Sequence, residues 1–271
     1  MATGISGEQI SPQNLGRRQV FKSAVTRDVQ ARQARGAGDV IRRDAAAPDT
    51  QTLIGKLWDE NDDLVQKFLD VKFLNFQAEH PENETLPSYQ YYSVQDYYYL
   101  VDYVQYKALR LSTYPEFNAT ALLAVMTTEA ESIKGSTDDA WGFRNDTLIG
   151  DLKIPAELVD DGLRVGAEIA YSDWLQKNTD LGWFALHGWG QIVDKLYKSN
   201  NTTFYNTWIV PNNDPSYGEE LSEFLEEYKA EYYSFDAERT WTAIFRQALQ
   251  FEIDLFNSAL GKGLGSLQLT P

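Results

Sequence analysis

From Thr50 onward, apolar residues recur at steps of three and four, the spacing of one helix face. Leu53, Ile54, Leu57, Trp58, Leu64, Phe68, Leu69 and Phe73 form the first such series. A turn follows at residues 80–84, and Pro87 is then placed at the first position of a long helix ending near Ser112. Pro115 opens another, with Leu122, Leu123, Val125 and Met126 as its apolar face. Residues 136–153 are rich in Gly, Asp and Asn and read as a loop. One helix is predicted over 155–177, another over 181–197, and a loop over 200–213 with a helical piece at 205–210. Helices over 218–233 and 235–260 complete the series, the last stopped by Gly261 and Gly263. Alternation of strand type is nowhere sustained. The pattern therefore predicts an all-α domain of about eight helices over residues 51–271, a multi-helical bundle rather than a repeat array.

Residues 1–50 are a different material. They carry eight basic and five acidic groups, leaving 16 basic and 35 acidic groups for the remainder, and their only aromatic residue is Phe21. They read as a basic, polar arm lying on the acidic body of its own or a neighbouring subunit, with a cleaved organellar presequence as the alternative.

Across its 271 residues the chain has a formal charge of −16, which repels phosphate and argues against nucleic acid as a partner. It contains no apolar run long enough to span a membrane and no apolar signal-peptide core, so a cytoplasmic location is expected. With zero cysteines there is no disulfide, no Cys-ligated metal and no thiolate nucleophile. Two histidines, His80 and His187, cannot fill most multi-His metal sites. Neither is preceded by Glu at the third position back, where Gln77 and Phe184 stand instead, so no di-iron Glu-x-x-His motif exists. His80, beside Pro81, fits a loop or helix cap better than a haem ligand. No cofactor and no metal are expected.

Two carboxylates occupy apolar stripes. Glu252 interrupts Trp241, Phe245, Ala248, Leu255 and Ala259 on the last helix. An ionised carboxylate is costly to bury there unless it is paired or opens onto a cavity. Two readings stay open: a site residue, or a structural glutamate that reaches the surface or pairs with Arg246 or Lys195. Asp96 has Tyr92, Tyr99, Leu100 and Tyr103 at helical spacing around it. Eight of the chain's 16 tyrosines fall within residues 89–106. Such a helix suits the wall of a pocket for a flat or conjugated small molecule, or else a Tyr-rich interface between helices or subunits.

These residues also carry a resemblance. Leu86-Pro87 followed by the run from Tyr91 to Leu100, with Gln95-Asp96 and Tyr99-Leu100, resembles the "LP…YxxQDxxYL" segment of the TenA / thiaminase II family. The run Phe251-Glu252-Ile253-Asp254-Leu255-Phe256 resembles that family's last-helix "YExxFW". Leu186-His187-Gly188-Trp189 and Tyr205…Trp208 fall in order where the family has "LPCxxxYxxIG" and "YxxWI". The resemblance spans about residues 55–260 and implies a haem-oxygenase-like helical fold. It further implies that Asp96 grips an aminopyrimidine ring, Tyr99 lines the site and Glu252 is the general acid/base. The family's catalytic cysteine is missing near Ala185, Trp189 replaces a tyrosine, the tyrosine expected near Gly166 is absent, and Asn212 stands where another belongs.

The candidate catalytic residues are thus Glu252 and Asp96, with Tyr92, Tyr99, Tyr103, His187, Trp189 and Phe245 as substrate-binding candidates. Three functions follow. The first is a cofactor-independent biosynthetic enzyme that cyclises, isomerises or eliminates from an apolar or conjugated small-molecule substrate. The second is a Cys-free aminopyrimidine or formylaminopyrimidine hydrolase of thiamine salvage. The third is a non-catalytic binding or regulatory protein. By analogy with the family, a homo-oligomer is expected.

Overall fold

The computed structural model describes residues 51–112, 118–177, 196, 202–212, 222, 226 and 235–268. The arm 1–50, the helices expected at 181–197 and 218–233, and the candidates His187 and Trp189 lie outside the described residues, isolated positions apart. Every regular element among the described residues is helical, as the periodicity requires. None of these helices is long and apolar enough to cross a membrane.

Three short helices open the fold: α1 (Leu53–Glu60), α2 (Asp62–Leu69) and α3 (Lys72–Glu79). The Thr52 hydroxyl caps α1 by accepting from Gly55 N at 3.0 Å. His80 is the C-terminal cap of α3 and is exposed, its ring 4.6 Å from Phe76, as the loop-or-cap reading expects. The long helix α4 (Glu82–Ser112) starts five residues before the predicted Pro87. Pro81 accounts for the earlier start, because its carbonyl accepts from Glu84 N and Thr85 N. Pro87 and Asn83, whose carbonyl loses its helix-ladder donor to the proline, both lie on the exposed side of the helix.

α4 is the central element. It packs against α3, against α5 (Ala119–Gly142), against α7 (Gly166–Lys177) and against the last helix, α8 (Phe235–Ser258). Two corrections to the sequence reading concern the connections. Residues 136–153 are not a loop: α5 runs to Gly142 and continues as π-helical turns over Phe143–Asp151. Asp138, Asn145, Asp146 and Asp151 are exposed while Leu148, Leu152 and Ile154 anchor the other side in the core. Residues 155–177 are not one helix: α6 (Ala156–Asp161) stops at Gly162, and an extended link leads to α7.

That link is held by α4. Gln95, fully buried, donates Nε2 to the Leu163 carbonyl at 2.9 Å and accepts from Val165 N at 2.7 Å. The Tyr98 hydroxyl donates to the carbonyls of Leu158 and Gly162. A Cβ on Gly162 would sit 2.4 Å from the Leu158 oxygen and 2.9 Å from the Tyr98 hydroxyl, so only glycine fits.

A third correction concerns α5. Leu123 and Met126, read as its apolar face, are 65% and 42% exposed, whereas Glu129, Ser132, Ser136 and Ala140 form its buried side. The helix turns a polar stripe inward.

Candidate active site

The stripe on α8 that contains Glu252 is buried: Phe245, Ala248, Leu255 and Ala259 are all in the core, and Glu252 itself is 2% exposed. Arg246 does not serve it. Its guanidinium donates to both Asp63 oxygens and to Asn61, on the α2 side of α8. Lys195, the other cation considered, lies outside the described residues. Glu252 is met instead by α7, where the Tyr171 hydroxyl donates to Oε1 at 2.9 Å with both groups buried. Tyr171 stacks on Phe251 at 5.3 Å, and Trp174 packs on Phe251 at 5.5 Å.

α4 supplies the facing wall. Tyr99 lies against Tyr171, ring centres 4.6 Å apart, and continues into Tyr103 at 6.4 Å and Tyr106 at 5.7 Å. One turn before Asp96, Tyr92 packs between Phe73 (5.1 Å) and Phe256 (5.0 Å), and Trp208 meets Phe256 edge-on at 5.9 Å. Both Tyr92 and Tyr99 have phenols pushed up, first by burial and then by the nearby charges of Asp96 and Glu252. Tyr171 is pushed up by burial and by Glu252. The two carboxylates therefore act on the same tyrosines, from opposite helices.

Of the candidates, Asp96, Glu252, Tyr92 and Tyr99 come together, and Tyr103 extends their wall. Phe245 lies two turns before Glu252 on α8, buried edge-on against Trp58 at 6.2 Å. Tyr171, which bonds Glu252, is a member of this cluster that the sequence reading missed. No tyrosine stands at Gly166, but five residues on Tyr171 begins a Tyr-x-x-Trp step, and that was the available signal. Asn212 donates its side chain to the Trp208 carbonyl at 2.8 Å. Among the described residues no group of three or more His, Cys, Asp or Glu could hold a metal ion.

A second charged group borders the site on α7. Glu168 is 0% exposed and its Oε1 accepts from Arg164 at 3.1 Å and Ser172 at 2.9 Å. Arg164 also donates to Asp102 at 2.5 Å, so one guanidinium serves two carboxylates. Burial, with Asp102 adding to it, raises Glu168 to about 7 against the pull of Arg164 and Ser172.

No protein-family model matches the chain, and no curated protein matches it in sequence. Solved structures do match. A TenA homologue from Pyrococcus furiosus superimposes with a TM-score of 0.56 at 19% identity, over 76% of this chain and 99% of that one. The chain has the TenA fold. A protein from Silicibacter sp. TM1040, described as a TenA family transcription regulator, gives a TM-score of 0.54 at 16% identity, over 77% and 96% of the two chains. Within this TenA-type, haem-oxygenase-like bundle, Tyr92 and Tyr99 on α4 and Glu252 on α8, which belong to the stretches that carry the sequence resemblance, lie in the buried aromatic cluster. Identity this low speaks for the fold and leaves the chemistry to the site.

Proposed function

We propose that this chain is an enzyme that rearranges an apolar or conjugated small molecule, by cyclisation, isomerisation or elimination, at the Glu252–Tyr171–Tyr99 cluster. One observation carries the reading: a buried glutamate held by a tyrosine donor and walled by stacked aromatic rings. In isomerisation or cyclisation Glu252 takes a proton from one carbon of the substrate and returns it at another; in elimination it passes that proton to the departing group, which leaves with the electron pair of its bond to carbon. Such a step is redox-neutral and needs no co-reactant. Tyr171 fixes one carboxylate oxygen so that the other direction of the group is set. The tyrosine wall orients the substrate and keeps water from competing for the proton.

The test is an untargeted metabolite comparison of the producing organism with the gene deleted and with a Glu252→Gln allele. Both strains should accumulate the same precursor and lose the same product. A Glu252→Gln strain with the wild-type profile overturns the reading.

A second reading is favoured by Asp96 sharing its tyrosines with Glu252. Asp96 would accept from the amidine-like edge of an aminopyrimidine while Glu252 activates water for hydrolysis. Thiolate addition to the ring has no residue to perform it in a cysteine-free chain. Incubation with aminopyrimidine and formylaminopyrimidine substrates, followed by chromatography, decides it. Turnover that Glu252→Gln removes supports hydrolysis, and no turnover at any pH rejects it.

A further inference from the structure

α4 and α5 lie side by side and antiparallel. Lys107 of α4 reaches Ser132 and Ser136 of α5, whereas Tyr97, earlier on α4, feels the charge of Arg144, just past the end of α5. That register fixes which surface of each helix is left over. At about 100° per residue, Tyr97, Val101, Val104 and Ala108 stand roughly a quarter turn round α4 from Lys107. On α5, Met126, Ala130 and Ile133 stand roughly a quarter to a third of a turn from Ser132 and Ser136 in the same rotational sense, with Leu123 and Trp141 at the edge of that stripe. Equal rotations on antiparallel neighbours lead to the same side, so the two stripes make one surface.

That surface is open. Val101 is 42% exposed and Trp141 54%, beside Leu123 and Met126, already seen to be exposed. Single exposed apolar residues are ordinary on a protein; a stripe of them continued across two helices is not. The core does not account for it, because α5 turns Glu129, Ser132 and Ser136 inward and this stripe outward.

Charge narrows the partner. None of these positions is charged, although 24% of the chain is and its formal charge is −16. Lys134 and Asp138 pair with each other on the side of α5 away from α4, and Arg144 is held at one end by Asp160 and the Trp141 ring. Two copies of so acidic a chain repel each other wherever carboxylates face, so they meet best where none stand. The basic segment 1–50, by contrast, is drawn to carboxylates and finds none on this face.

Size fits a second copy as well. From Leu123 to Trp141 the stripe runs about 27 Å at helical rise, and two helices packed about 8–10 Å apart present a width of roughly 20 Å. The face offers on the order of 500 Å² per copy, and a pair of them on the order of 1,000 Å², the size at which a specific interface begins. We propose that this α4–α5 face binds a second copy of the chain, the two related by a two-fold axis so that α4 and α5 of each copy form a four-helix contact. The proposal is independent of the chemistry at Glu252.

Sedimentation velocity of the full chain at micromolar concentration tests it. The wild-type protein should run as a dimer or a larger even assembly. Val101→Lys on α4 and Leu123→Lys on α5 each put two ammonium groups into the contact, and each should halve the assembly by weakening association at least about a hundredfold. Both also reduce the negative charge of the chain, so general repulsion does not explain the dissociation. Glu79→Lys, an exposed change on α3, should leave the assembly intact. Circular dichroism checks that the variants fold. The chain has no cysteine, so Met126→Cys supplies a single thiol on the face, and its reaction with a disulfide reagent should speed up as the protein is diluted into monomers. This second reading decides the matter should the lysine variants not fold. A monomeric wild-type protein, an assembly that survives both lysine variants, or a thiol equally reactive before and after dilution overturns the proposal.

Discussion

The Tyr171 hydroxyl and Glu252 Oε1 stand 2.9 Å apart in the core, joining α7 to α8 across the face that α4 presents with Tyr99. Tyr171→Phe removes this donor without changing the shape of the ring. A buried carboxylate oxygen then loses a partner, at a cost of about 1–2 kcal/mol. Urea unfolding should show that loss. Turnover of the substrate, once identified, should fall through kcat more than through KM, because the ring wall stays intact. A variant as stable as the wild-type protein would show that the contact contributes nothing to the fold.

The Glu168–Arg164–Asp102 group makes stability depend on pH. Glu168 is raised in the folded protein to about 7 from an ordinary 4.5, so the folded chain keeps a proton that the unfolded chain releases. Its contribution is therefore full below pH 4.5 and is lost as pH rises to about 7, amounting to no more than about 3 kcal/mol. Asp63 and Asp160 are lowered by Arg246 and Arg144 and act in the opposite sense, only at more acid pH. Urea midpoints between pH 5 and 8 should fall for the wild-type protein and stay nearly flat for Glu168→Gln. Parallel curves for the two proteins would reject this account.

Gln95 holds the α6–α7 link with both ends of its amide. Gln95→Leu keeps the volume and strands Val165 N–H and the Leu163 carbonyl, a cost of about 2–3 kcal/mol. Limited proteolysis should then cut within residues 162–165 before any site in α4. Cleavage at the wild-type rate would mean that the link is held by other contacts.

Two glycines in the same region should respond in opposite directions. Gly162→Ala drives a methyl group into the Leu158 carbonyl and the Tyr98 hydroxyl and should destabilise by about 1–3 kcal/mol. A methyl group on Gly166 would meet nothing within 4 Å, and Gly166→Ala should be neutral or stabilise by up to about 1 kcal/mol. Thermal melts of the two variants decide the point.

Much of the helical content was readable because apolar residues at three- and four-residue steps leave one solution for their burial. Glu252 and Asp96 stood out for the same reason, as charges on stripes that should have none. Gly, Asp and Asn content misled at 136–153, because composition cannot tell a loop from a helix that turns most of its polar side chains to water. The α5 stripe misled in the other direction. Leu122, Leu123 and Met126 have helical spacing, and nothing local shows that Glu129, Ser132 and Ser136 are the side that α4 covers.

The one-dimensional pattern by itself determined an all-α chain, two misplaced carboxylates and a tyrosine-dense helix around Asp96, since each follows from periodicity along a single element. Tertiary structure alone decided that Tyr171 reaches Glu252, that Arg246 turns away to Asp63, and that Lys107 is buried between serines. Those are pairings between helices up to 183 residues apart, and their distance is set by how the helices pack, which no local spacing encodes.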